Sequence, residues 1–127
     1  KLGMLVCYGL EFPETPRRMA LAGAELVLLP IANVVPFDFV ADVAGRARAF
    51  EIRCFVAYAN YCGHEDEIHY CGQSSIAAPD GQRVAQAGLD EALIVGTLER
   101  QSLFDARAAN HYLQDRRAEL YGALHKP

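Results

Sequence analysis

Cys7 is the residue of this chain best placed for covalent chemistry. It closes the apolar run Leu2-Gly3-Met4-Leu5-Val6 and precedes a bend containing Gly9, then a helix. Side chains at the carboxyl end of a strand in an open α/β sheet face the crevice where ligands bind. A sharp strand-to-helix turn also lifts a nucleophile out of the sheet and leaves the next backbone N–H, here that of Tyr8, free to stabilise an oxyanion. On position alone, the competing reading is that Cys7 is a small buried hydrophobe, as free cysteines often are. Cys62, His64, His69 and Cys71 are metal-ligand types, but Cys-x-His followed by His-x-Cys departs from the spacing of about two to four residues found in structural zinc sites. They read as an exposed loop by the pocket mouth, and no metal or other cofactor is expected. Tyr8, Phe12, Tyr58 and Tyr61 could line a pocket or equally belong to the core. Arg17-Arg18 and Arg116-Arg117 read as solvated or ion-paired helix charges.

The elements that must position these residues alternate between strand and helix. Leu2 to Val6 reads as a short buried strand. Thr15-Pro16 is a helix start, a capping hydroxyl followed by Pro where its missing N–H costs nothing, and Gly23 is placed to end that helix. Glu25 to Leu29 is a second strand closed by Pro30. Asp38 to Glu51 carries Phe39, Val43, Ala47 and Phe50 at helical spacing, which predicts a second amphipathic helix facing the core with those residues. Cys54 to Tyr61 is apolar on both faces, as in a sheet covered on both sides. Pro79-Asp80-Gly81-Gln82 is a turn joining Ser74–Ala78 to Arg83–Ala87 in a hairpin. Glu91 to Leu98 is read as a further strand, and the chain from Leu103 onward as helical or irregular. Strand–helix–strand–helix–strand at this spacing predicts an α/β fold with a mainly parallel sheet.

Composition narrows the classes. The 127 residues are one domain's worth of chain, 52% hydrophobic and 22% charged, ordinary for a packed domain and too apolar for disorder. A formal charge of −4 argues against duplex binding and against a polybasic membrane surface. The longest apolar run, Leu26 to Pro36, is interrupted by Pro30 and Asn33 and falls short of a membrane span of about 20 residues. Four cysteines are too sparse for a disulfide scaffold, so reduced thiols in a cytoplasmic protein are expected. The opening Lys1-Leu2-Gly3, without an initiator Met, reads as a piece of a longer chain.

Gly3-Met4-Leu5-Val6-Cys7-Tyr8-Gly9-Leu10-Glu11-Phe12-Pro13-Glu14 resembles the nucleophile segment of the nitrilase superfamily, the carbon–nitrogen hydrolases. The likeness continues through Ala22 to Pro30, Ile31-Ala32-Asn33, Arg48-Ala49-Phe50-Glu51, Tyr58 to Gly63, Tyr70 to Ile76 and Pro79-Asp80-Gly81. Asp115 to Tyr121 resembles the tail of an amidase branch. Gly9 stands where the family usually has Asp, Ile31 where Thr is common, and Ile52 where Asn often follows Glu51. What the resemblance implies is half of a four-layer αββα sandwich, with residues 1–127 forming the C-terminal part of the hydrolase domain.

The resemblance further implies a Glu–Lys–Cys triad with Cys7 as nucleophile, attacking an amide or nitrile carbon to form a thioester that water then hydrolyses. The backbone N–H of Tyr8 would serve the oxyanion. A free thiol titrates near about 8.5 and needs a base or a neighbouring cation. By resemblance the Glu and Lys lie upstream of Cys7, and Lys1 is too close along the strand to be that lysine. The segment alone is therefore expected to be inactive and to present an apolar sheet face larger than monomers normally show. Glu11, Asn33 and Tyr58 are the candidates for the substrate pocket, with Glu11 and Glu14 at motif positions the family uses for local support. Leu10 and Glu11 stand where the N-carbamoyl-D-amino acid branch carries paired arginines, which favours a small neutral or cationic carboxamide. A homodimer is expected; a non-catalytic association module and a thiol acyltransferase are the alternatives.

Overall fold

The computed structural model describes residues 1–122. A five-stranded sheet runs in the order β1-β2-β3-β6-β7, with β1 (Leu2–Met4), β2 (Leu26–Ile31) and β3 (Phe55–Asn60) parallel and β6 (Ser75–Ala77) and β7 (Arg83–Gln86) antiparallel. Strands β4 (Cys62–Glu65) and β5 (Ile68–Cys71) form a separate hairpin. Helices α1 (Glu14–Leu21), α2 (Gly45–Ile52) and α3 (Arg100–Ala109) complete the α/β architecture.

The parallel register puts Val27, Leu29 and Ile31 in phase with Val56 and Tyr58, and these five are buried with Ala20, Ala49 and Ile52 of the helices. The opposite phase of the sheet carries Leu2, Met4, Leu26, Leu28 and Ala57. Leu2 and Met4 are 67% and 62% exposed, so one sheet face is packed on helices while the other shows apolar side chains to solvent, as half of a two-sheet sandwich would. No helix among the described residues is long and apolar enough to cross a membrane.

Local chemistry explains the α1 terminus. Gly23 takes φ +90°, its N–H reaches Ala20 O at 2.9 Å, and the Ala24 N–H reaches Met19 O at 3.0 Å, the paired bonds of a Schellman cap. The start of α1 differs from expectation: Pro13 is the N-cap. Thr15 Oγ1 instead donates back to the carbonyls of Phe12 (3.0 Å) and Gly9, tying the helix to the bend before it.

Four further expectations are corrected. Pro30 lies inside β2, opposite Ala59. Leu28 O accepts from Leu5 N on the β1 side, so Pro30, two residues on, directs its missing donor to the same side, past the end of β1, where no ladder bond is lost. The helical residues Phe39, Val43, Ala47 and Phe50 face outward, Phe39 at 69% exposure, while Val40, Ala41, Gly45, Ala49 and Ile52 face the sheet. A π-helical turn over Val40–Ala44 shifts the phase, and Ala and Gly let the backbone approach the sheet closely. Glu91 to Leu98 has no ladder partners among the described residues, with Leu93 92% and Val95 83% exposed. The loop expected between Cys62 and Cys71 is the β4–β5 hairpin, turning through Asp66 at φ +50°.

Candidate active site

Cys7 begins a single 3₁₀ turn, Cys7–Leu10, which Leu5 and Val6 join to β1. Its φ is +50°, a left-handed conformation that costs a non-Gly residue on the order of 1–2 kcal/mol. The turn is held from three sides. Gly9 N–H bonds Val6 O at 3.2 Å, Thr15 Oγ1 donates to Gly9 O, and Arg48 on α2 donates from Nε to Leu10 O (3.0 Å) and from Nη2 to Glu11 O (3.1 Å). Glu51 lies 3.5 Å from Arg48 and 3.4 Å from Arg17, holding the guanidinium over the turn. Among the described residues the Tyr8 N–H has no acceptor. The conformation that strains Cys7 therefore also leaves the following amide available.

Cys7 is half-buried and packs on a cluster that includes Leu10, Leu29, Tyr58 and Cys71. Tyr58 is 2% exposed, and among the described residues its hydroxyl has no hydrogen-bond partner. Burial, above all, pushes its pKa far above the ordinary tyrosine value, so it stays neutral. A buried unpaired hydroxyl costs about 1–3 kcal/mol. Tyr58→Phe is accordingly expected to raise unfolding free energy by about 1 kcal/mol, read from denaturant midpoints at unchanged m-value.

Asn33 is buried just past the end of β2, with its backbone and its side-chain Nδ2 engaged. Its N–H bonds Asn60 Oδ1 at 2.7 Å, and its Nδ2 donates to Phe37 O (2.9 Å) and Cys71 Sγ (3.1 Å). Asn60 Nδ2 donates in turn to Asn33 O (3.2 Å) and Gly72 O (2.9 Å). The Cys71 thiol, its pKa raised mainly by burial, stays protonated. Tyr58, Asn33 and Cys7 are thus linked through the cluster around Cys71, whereas Glu11 and the Tyr8 ring are exposed. Gly72 closes the network at φ +56°, where a Cβ would stand 2.8 Å from Leu89 O and 3.0 Å from Gly88 O. Gly72→Ala is expected to cost about 2–4 kcal/mol, measured by thermal or chemical unfolding.

Three contributors were absent from the sequence expectations. Arg48 was legible as a charge on the inner stripe of α2, between Gly45 and Ile52. Asn60 was legible as a polar residue closing an apolar strand. Nothing in the sequence marked the Cys71 thiol as a bonding partner of Asn33. Among the described residues no three of His, Cys, Asp or Glu stand together so as to hold a metal ion; the His64 and His69 rings are stacked at 4.0 Å. Two surface clefts lie away from Cys7, one of about 350 Å³ between Phe50 and Gly81, another of about 450 Å³ beside Tyr112 and Tyr121.

The chain matches the family described as Carbon-nitrogen hydrolase over residues 1–108. It is 70% identical over 126 residues to a Pseudomonas protegens protein described as "Hydrolase in pqqF 5'region", covering 99% of this chain and 44% of that protein. It is 37% identical to an (R)-stereoselective amidase of a Pseudomonas species, covering 96% of this chain and 45% of the amidase. Among solved structures, the amidase from Nesterenkonia sp. AN1 superposes with a TM-score of 0.82 at 40% identity, over 94% of this chain and 44% of that one. The chain spans less than half the length of each of these proteins. Family match, half-sandwich architecture and overall likeness to solved amidases agree: this chain belongs to the carbon–nitrogen hydrolase family of the nitrilase superfamily.

Proposed function

We propose that the full-length protein hydrolyses the C–N bond of a small neutral or cationic carboxamide through a thioester on Cys7. The observation that carries this reading is the Cys7 turn: a half-buried thiol at φ +50° just past a strand, followed by a Tyr8 N–H with no acceptor among the described residues. The thiolate attacks the amide carbon, the oxyanion is met by the Tyr8 N–H, the amine or ammonia leaves, and water resolves the thioester. The relatives support this chemistry. One Nesterenkonia amidase mutant shows covalent addition of the acetamide moiety of fluoroacetamide at the active-site cysteine, and another is in complex with butyramide.

The activating base and cation come from the part of the protein that the relatives possess and this chain does not span. The chain's two lysines are Lys1 and Lys126. Lys1 Nζ donates to Ala22 O, at the opposite end of β1 from Cys7. Glu51 is committed to Arg17 and Arg48. By this reading the 127 residues alone do not hydrolyse amides, and the open sheet face is covered by the second sheet of the sandwich. Tyr58 and Asn33 line or brace the pocket floor beneath Cys7, and Glu11 lies on its rim. The enzyme is cytoplasmic and pairs as a homodimer, which light scattering on the eluted protein checks. The decisive experiment is capture of an acyl group on Cys7 by mass spectrometry after brief exposure of the full-length protein to a carboxamide; an acylated residue other than Cys7 would refute the assignment.

A further inference from the structure

We propose that Cys62 and Cys71 form a modification site, a thiol pair that a hydroperoxide converts to a disulfide across the β4–β5 hairpin. The inference does not depend on the reaction assigned to Cys7.

The register of the hairpin carries it. Cys62 stands directly opposite Cys71, and His64 opposite His69. In an antiparallel ladder, opposed residues alternate between hydrogen-bonded pairs and closer, non-hydrogen-bonded pairs with Cα atoms about 4.5 Å apart. Two observations identify which kind this is. Gly72 N–H bonds Tyr61 O at 3.1 Å, which makes the adjacent Tyr61 and Gly72 positions hydrogen-bonded and therefore Cys62 and Cys71 non-bonded. The pair two residues further on, His64 and His69, must then be of the same close kind, and its rings stack at 4.0 Å. Directly opposed residues of an antiparallel ladder project from the same face, so both cysteines lie on one side of the hairpin. A disulfide tolerates Cα separations of roughly 4.4–6.8 Å, and a non-bonded pair meets that window without movement of the backbone.

Access is asymmetric: the peroxide-reactive cysteine of such a pair is solvent-accessible and stands next to its resolving partner. Cys62 is half-buried and borders a cleft of about 100 Å³ with Asn60, Gln73 and Ser74, while Cys71 is 1% exposed. The Cys62 thiolate attacks one peroxide oxygen, the O–O bond breaks, and the sulfur becomes a sulfenic acid while the other oxygen leaves as an alcohol or water. The Cys71 thiol then attacks the sulfenic sulfur: its S–H bond and the S–O bond break, the proton leaves with the hydroxyl as water, and the S–S bond forms. The two sulfurs together lose two electrons to the peroxide. In the reduced state Cys71 Sγ accepts from Asn33 Nδ2 (3.1 Å) and lies 3.5 Å from Asn60 Nδ2. Drawing that sulfur toward Cys62 removes it from the network that fixes the Asn33 segment beside Cys7.

The test uses the full-length protein and its Cys7→Ala variant, each treated with hydrogen peroxide, alkylated under denaturing conditions and cleaved at the glutamates, since Glu65 and Glu67 separate the two cysteines. The expected result is a Cys62 peptide joined to a Cys71 peptide in both proteins, parted by dithiothreitol and absent from Cys62→Ser. Recovery of Cys62 and Cys71 as separate alkylated thiols, of Cys62 as a sulfinate beside reduced Cys71, or of a disulfide to Cys7 instead would overturn the proposal. Cys62→Ser alters the half-buried member, and a circular dichroism spectrum matching the parent shows that its lack of cross-link is chemical and not a loss of fold.

Discussion

Replacing Cys7 by alanine in the full-length protein is expected to lower kcat for amide hydrolysis on the order of 10^5-fold or more, with the fold intact. Loss of a nucleophile in an enzyme that works through a covalent intermediate removes the whole pathway, leaving only what binding and oxyanion donors contribute. Stability should change little, because Cys7 is half-buried and alanine at φ +50° meets strain comparable to that of cysteine. Ammonia release under saturating substrate measures the loss, and a denaturant midpoint near that of the parent shows that it is chemical. Hydrolysis at the parental rate would mean that the Cys7 turn is a structural bend and that another group attacks.

Arg48→Met is expected to reduce kcat about 10- to 100-fold while leaving Cys7 in place. Arg48 Nε and Nη2 hold the carbonyls of Leu10 and Glu11, at the end of the turn that Cys7 begins. Charge-assisted bonds of this kind are worth about 1.5–3 kcal/mol each, and small displacements of a reacting group cost rate steeply. Methionine keeps much of the apolar stem but satisfies neither carbonyl. Lysine restores a charge without the fork that reaches both, so Arg48→Lys should recover only part of the rate. A purely supportive role would change stability alone. A positioning role predicts in addition that alkylation of Cys7 by iodoacetamide changes rate in the variant and that kcat falls more than KM rises. Parental values of both would remove Arg48 from the account.

Much of the architecture was legible because it depends on local rules. The continuous apolar run at Cys54 to Tyr61 became the middle strand of the sheet, with Val56 and Tyr58 buried on the helix side and Ala59 exposed on the open face. Gly23 ended α1 because that cap needs a positive φ, and Pro79-Asp80-Gly81-Gln82 turned the hairpin, with Gly81 at φ +84°. The nucleophile candidate was readable from its place at a strand end, and the family resemblance extended that reading along the chain.

Other features were not in the local code. Phe39, Val43, Ala47 and Phe50 have the spacing of a core stripe yet face outward, because a π-helical turn moves the phase and small residues win the inner face, where backbone approach decides the packing. Glu91 to Leu98 has strand composition but no ladder partner among the described residues, and strand pairing is a property of neighbours, not of a segment. Thr15 ties down the Cys7 turn and not the helix start, because Gly9 O lies within its reach. The sequence by itself determined the elements, the cysteine at the bend and the family, all of which rest on contacts close along the chain or on one residue's own conformational limits. Only the tertiary structure decided that Arg48, Asn60 and Cys71 brace the site and that Cys62 faces Cys71, because those relations join residues about ten to forty positions apart, whose approach is set by the packing of helix on sheet and by ladder register.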